Sequence, residues 1–286
     1  MSFRIHRHPP LENEFRRVMH AQLVHAISGL NESTPATQAR AIHDARTRIK
    51  KVRAILRLLH GVSPLGIPDA CHTPLRHAAR ELAVVRDAHT DLKTIAELCR
   101  DFSITPARIP GVMKFLRQRE SNAAADAGEA MHKSAGLLNS ARFVIEAWAK
   151  GIRITREELH EGARRIYKRS RASFQKAADQ QSVKSLHRCR RRTKDVAYIL
   201  LLLGAAPSGP KSKLARRARK LCALLGRIHD LAHLGETLDQ NTAGIQTDML
   251  DELIDSKLGK LRGKAMKLGS KFFSIKPKKF ATACAA

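Results

Sequence analysis

Ile42, Ala45, Ile49, Val52, Leu56 and Leu59 recur at intervals of 3, 4, 3, 4 and 3 residues, which is the apolar stripe of one amphipathic helix. Leu186, Cys189, Thr193, Val196, Leu200 and Leu203 repeat the same intervals in the second half of the chain. Alternation of the strand type is absent, and the pattern elsewhere reads as helix punctuated by Pro and Gly. Helices are expected from Pro10 to Leu30, Pro35 to His60, Pro74 to Arg100 and Pro106 to Lys150, the last breaking near Gly136. After Gly151 they are expected from Thr155 to Ala178, Ser182 to Leu203, Lys211 to Asn241 and Asp248 to Phe273. The segment from Ser274 onward carries Lys276, Lys278 and Lys279 and reads as a loose basic tail.

The two striped helices belong to an internal repeat. AIHDARTRIKKVRAILRLL, from Ala41, aligns with SLHRCRRRTKDVAYILLLL, from Ser185, pairing His43 with His187, Arg46 with Arg190, Arg48 with Arg192 and Lys50 with Lys194. Further on, LAVVRDAHTDL from Leu82 resembles LGRIHDLAHLG from Leu225, setting Asp87 against Asp230. The expected organisation is all-α, with one helical-bundle repeat over residues 1–150, a second over 151–273 and the tail over 274–286.

Charge changes the picture next. The 286 residues include 53 Lys and Arg against 26 Asp and Glu, a formal net charge of +27. Such an excess repels itself in a folded chain and calls for an anionic partner. Its placement is more telling than its size. One residue beyond each apolar position, His43, Arg46, Lys50, Arg53, Arg57 and His60 form a second stripe, offset by about 100° from the first. It therefore flanks the core, where two helices would wall a groove; His187, Arg190 and Lys194 begin the matching stripe. Solvated helix faces usually mix signs to gain i,i+4 pairs. Here Asp44 is the one acid between Ala41 and His60, and Asp195 the one acid between Ser182 and Leu203. Arg48, Lys51 and Arg191 add to these helices. Further basic faces are formed by Arg76 with Arg80, by Arg164, Lys168 and Arg171, and by Arg216 with Arg219 and Lys220. Lys257, Lys260, Lys264, Lys267 and Lys271 form a last stripe that reads equally well as a solvated face.

A His followed by spaced and paired basic residues and a Leu-rich end, present twice, resembles the motif of the CHAD domain family, the conserved histidine α-helical domain. The residues carrying the resemblance are Ile42-His43 through Arg53-Ala54 with Val84-Val85-Arg86-Asp87, and Leu186-His187 through Lys194 with Leu225-Gly226-Arg227-Ile228-His229-Asp230. The resemblance extends from about Pro10 to Phe273. It implies two four-helix bundles related by a pseudo-twofold, with a basic central groove that binds inorganic polyphosphate. Two departures stand out: Lys50 and Lys51 replace the family's paired Arg, and the second copy has Thr193, Lys194 and Asp195 there. Lysine binds phosphate as a point charge and lacks the bidentate fork of arginine.

The expected partner is thus inorganic polyphosphate, with nucleic acid as the alternative, bound by His43, His187 and the Arg and Lys residues from Arg46 to Lys220 named for the basic faces, the Lys257–Lys271 stripe left aside. Few of the chain's aromatic residues sit among the basic stripes, which disfavours base stacking. No catalytic residues or cofactor are expected: a Gly-rich phosphate loop, a nucleophile elbow and a convincing carboxylate pair are all missing. His229 and His233 stand at i,i+4, as zinc ligands do, yet no Glu occupies the general-base position and no third ligand is evident, so no metal is expected. The five cysteines form no CxxC, the first fifteen residues contain no apolar signal core, and the apolar run from Val196 to Ala206 is too short to span a bilayer. A cytoplasmic protein is the expectation, with polyphosphate granules as the place where such a partner accumulates.

Overall fold

Tertiary structure, seen in a computed structural model, is all-helical as expected, but it divides one expected span, moves one break and adds a helix at the end. It describes residues 3–6, 10–62, 69–204, 210–241 and 247–285. The helices are α1 (Leu11–Asn31), α2 (Gln38–Leu58), α3 (Asp69–Glu81), α4 (Ala83–Asp101), α5 (Pro110–Ala125) and α6 (Ala127–Lys150) in the first half. The second half holds α7 (Arg156–Gln180), α8 (Val183–Leu202), α9 (Pro210–Asn241), α10 (Asp248–Phe273) and α11 (Pro277–Ala285). Apart from a 3-10 turn at Pro106–Arg108, these helices are the regular structure, and no strand occurs among the described residues. Ala205 and Ala206, the end of the apolar run read from the sequence, lie outside the described residues.

The span expected to run unbroken from Pro74 to Arg100 is two helices that meet at the buried Leu82, and the first begins at Asp69. Pro74 lies inside α3, which nevertheless buries Cys71, Leu75 and Ala78 on one face. The break expected near Gly136 falls at Asp126 instead. A Cβ at Gly136 would meet nothing within 4 Å, so nothing there calls for a glycine, whereas the Asp126 carboxylate stands at the positive end of α6. The residues read as a loose tail form α11. Its buried Phe280, Ala281 and Cys284 share one face, and the Phe280 ring stacks on Tyr167 of α7 at 4.1 Å between centroids. Three apolar side chains in eight residues are enough to dock a helix whose lysines stay in water.

α1, α2, α3 and α6 pack against one another, as do α7, α8, α9 and α10. α4 and α5 form a separate hairpin, with α4 resting on α9; the fully buried Asp91 of α4 takes a hydrogen bond from Arg119 of α5. α2 crosses α8 and touches α7, and the buried apolar residues of both halves form one continuous cluster. The end of α2 is held by α7. Arg165 donates to the carbonyls of Arg57, Leu58 and His60, satisfying acceptors the helix leaves open. Beside it Gly162 lets the backbones close in: a Cβ there would lie 2.3 Å from the Leu58 carbonyl oxygen. Gly162→Ala is therefore expected to destabilise the protein by about 1–3 kcal/mol, the usual range for overpacking. A urea midpoint that does not move would mean α7 stands further from α2 than described.

Candidate functional site

The apolar stripe of α2 is buried along its whole length, and that of α8 from Leu186 to Leu200. The flanking basic stripes are consequently carried to the crossing of the two helices. Arg46 and Lys50 of α2, Arg190 and Lys194 of α8, and Arg86 of α4 come within electrostatic reach of one another. Burial, followed by the charges of Lys194, Arg46, Arg190 and Arg86, pushes the Lys50 ammonium down to about 6. Burial and Arg190 push Lys194 down to about 8.

Two carboxylates stand against these five cations. Arg86 donates to Asp87 at 2.8 Å and to Asp230 of α9 at 3.0 Å, so one guanidinium joins the aligned acids of the two sequence copies. Arg190 lies 3.9 Å from Asp230, and Asp87 acts on Arg46, whose guanidinium also donates to the Ala79 carbonyl. The Nε atoms of Arg46 and Arg190 are buried without a hydrogen-bond partner. Lys50 and Lys194 share no carboxylate at ion-pair distance among the described residues.

Arg86, Arg190 and Lys194 of this cluster line a cleft of about 920 Å³ bounded by α2, α4, α8, α9 and α10. His43 lines it as well, and no Phe, Tyr or Trp does among the described residues. Burial holds His43 below its ordinary value, with Lys50, Arg86 and Lys194 acting in the same direction against Asp44. Arg40, His89, Lys93, Arg227 and Lys257 also line the cleft, although the sequence reading did not select them. Of the missed residues Arg86 left the clearest trace, standing beside Asp87 in the repeated motif.

Further along the same stripe lies a second group. Arg57 pairs with the buried Asp195 of α8 at 2.9 Å. Burial lowers Arg53 to about 10, with Arg57, Arg191 and Arg76 adding to the effect. Burial raises the Asp195 carboxyl, while Arg57, Arg192, Arg53 and Arg191 draw it back.

Other selected residues stand apart from both groups. Arg48 donates to Gln22 of α1 at 3.4 Å, and the Lys51 ammonium lies over the Phe3 ring at 4.8 Å. The neighbours Lys50 and Lys51 therefore serve different surfaces. Arg164 is exposed and paired with Glu161 at 2.8 Å; Lys168 is exposed on the same helix, and Arg171 acts on Tyr167. Arg80 is exposed on α3, and Arg216, Arg219 and Lys220 are exposed on α9. The two aligned histidines also differ. His43 lines the cleft, whereas His187 packs edge-on against His229 at 4.7 Å. Burial, Arg190 and His187 push His229 down to about 3. His233 faces Asp91 at 3.8 Å, and no group of three His, Cys, Asp or Glu residues able to hold a metal occurs among the described residues.

An all-helical protein in which basic residues of α2, α4, α8, α9 and α10 line one cleft is the class these features define. The CHAD domain family model matches residues 18–239, and the chain belongs to the CHAD domain family. A crystal structure of the CHAD domain from the plant Ricinus communis is similar over 100% of this chain and 96% of that chain, with a TM-score of 0.61 and 19% sequence identity, a likeness of fold. No curated protein matches the chain. Among the described residues no helix is long and apolar enough to cross a membrane.

Proposed function

We propose that the protein binds inorganic polyphosphate at the crossing of α2 and α8, and that this binding places it on polyphosphate granules. The observation that carries the reading is the enclosed cluster of Arg46, Lys50, Arg86, Arg190 and Lys194, with Asp87 and Asp230 as its nearby carboxylates. Holding like charges together out of water opposes folding unless an anion relieves it. A linear chain of phosphates does so at every residue along the stripe, through forked bonds from arginine and single bonds from lysine. His43 adds a donor that gains its proton as phosphate approaches. The protein acts as a binding module, so incubation with polyphosphate is expected to release no free phosphate.

Nucleic acid would be drawn to the same charges. Recognition of single strands, however, uses aromatic platforms for the bases, and among the described residues the cleft lining has no Phe, Tyr or Trp. Competition between labelled single-stranded RNA and long-chain polyphosphate at matched charge tests the choice. Polyphosphate is expected to displace RNA, with log K falling linearly against log salt. RNA binding that is tighter and more salt-resistant would overturn the reading.

A further inference from the structure

Two basic helix faces leave the cleft together, and neither is explained by the cluster of Arg46, Lys50, Arg86, Arg190 and Lys194. The α9 face that lines the cleft includes Ala223, Arg227 and Asp230. Followed back from Asp230 toward the start of α9, intervals of 3, 4, 3 and 4 residues pass through Lys220 and Arg216. On α10 the corresponding face is Lys257, Lys260, Lys264, Lys267 and Lys271, each one residue before the buried Leu258, Leu261, Ala265, the half-buried Leu268 and the buried Phe272.

The faces begin side by side. Arg227 and Lys257 reach the same carboxylate, Asp101 at the end of α4, at 3.1 Å and 2.6 Å. Lys260 follows, 5.7 Å above the Phe102 ring. Because α9 and α10 follow one another and pack together, α9 read backward and α10 read forward run the same way from that point. Beyond it Arg216, Lys220, Lys264, Lys267 and Lys271 are exposed. No Asp or Glu occurs between Val196 and His229, and none follows Asp255. Like charges at i,i+3 and i,i+4 destabilise a helix, so a purely solvated face would be expected to include acids. The lysine face spans fifteen residues from Lys257 to Lys271, about 21 Å along the helix axis.

We propose that these paired faces form a second polyanion track, continuous with the cleft, which binds the part of a long polyphosphate chain that the cleft does not hold. The inference rests on the polyphosphate reading and deepens it, since it makes the protein selective for chain length. Tripolyphosphate engages the cleft alone; long chains engage both.

The test compares the unaltered full chain with two variants. One carries Lys260→Gln, Lys264→Gln, Lys267→Gln and Lys271→Gln. The other removes the same number of exposed cations elsewhere, at Lys114, Arg117, Lys150 and Arg153, also by Gln. The track variant is expected to bind long-chain polyphosphate at least about tenfold more weakly at moderate salt. Its salt slope should be shallower by roughly 3, at about 0.7–0.9 per lost contact as on nucleic-acid polyanions. Tripolyphosphate affinity should match that of the control variant. If the track variant loses no more long-chain affinity than the control, the track is wrong while the cleft reading stands. If the unaltered protein binds neither chain length, the cleft reading fails and takes the track with it.

Discussion

Lys50→Met combined with Lys194→Met is expected to lower polyphosphate affinity by about 10- to 100-fold while raising the thermal stability of the free protein. Two contacts to phosphate account for the loss, at about 0.7–1.4 kcal/mol each, the usual net range for a hydrogen bond. The gain has a separate origin. Each ammonium sits where burial and neighbouring cations disfavour its charge, and neither has a carboxylate at ion-pair distance among the described residues. Methionine fills nearly the same space without needing water or a counterion. In a domain of this size each kcal/mol so recovered raises Tm by about 2–4 °C. Titration calorimetry and ligand-free thermal unfolding would read the two effects independently. Affinity lost without any rise in Tm would mean that both ammoniums are well hydrated, and the enclosed cluster would no longer support the polyphosphate reading.

Polyphosphate binding is further expected to weaken as pH rises from about 6 through 8, and to take up protons at neutral pH. The groups facing Lys50 are Arg46 on its own helix, Arg190 and Lys194 on α8, and Arg86 on α4, with Asp230 of α9 bound to Arg86. Lys50 is pushed down to about 6 and Lys194 to about 8, so at neutral pH the free protein has shed most of the Lys50 charge, and it loses the Lys194 charge as pH rises through 8. An arriving phosphate chain favours the protonated forms and draws those protons back, and His43 shifts in the same direction. For the free protein the sign is opposite. Between about 6 and the ordinary lysine value of 10.5 the folded state binds fewer protons than the unfolded one, so stability rises with pH across that window. Calorimetry in buffers of different ionisation enthalpy measures the uptake. Enthalpies independent of buffer would show that the lysines are already charged before the ligand arrives.

These expectations depend on which cations face one another, and the sequence was unevenly informative about that. Intervals of three and four residues placed Ile42 through Leu59 inside and His43, Arg46, Lys50 and Arg53 beside them, because helix geometry turns spacing into direction. The same rule could not separate Lys50 from Lys51 by partner. One meets Lys194 and the other the Phe3 ring, since the amino-terminal segment lies along α8, with the Ile5 amide on the Leu202 carbonyl at 3.0 Å. Nor could it equate or distinguish His43 and His187. Their neighbours come from α4 and α9, far away in sequence. The docking of α11 was missed for a similar reason: Lys276, Lys278 and Lys279 dominate a short segment whose three apolar residues matter only because Tyr167 stands opposite.

Local spacing thus places most of the helices and the two basic stripes, because each depends on residues within a few turns of one another. The enclosed cluster is a different matter. Arg86 joins Asp87 to Asp230, and Lys50 meets Lys194, only after α2 has crossed α8 and α4 has come to rest on α9. Burial of the apolar stripes drives that packing, and the charges are carried into proximity with it.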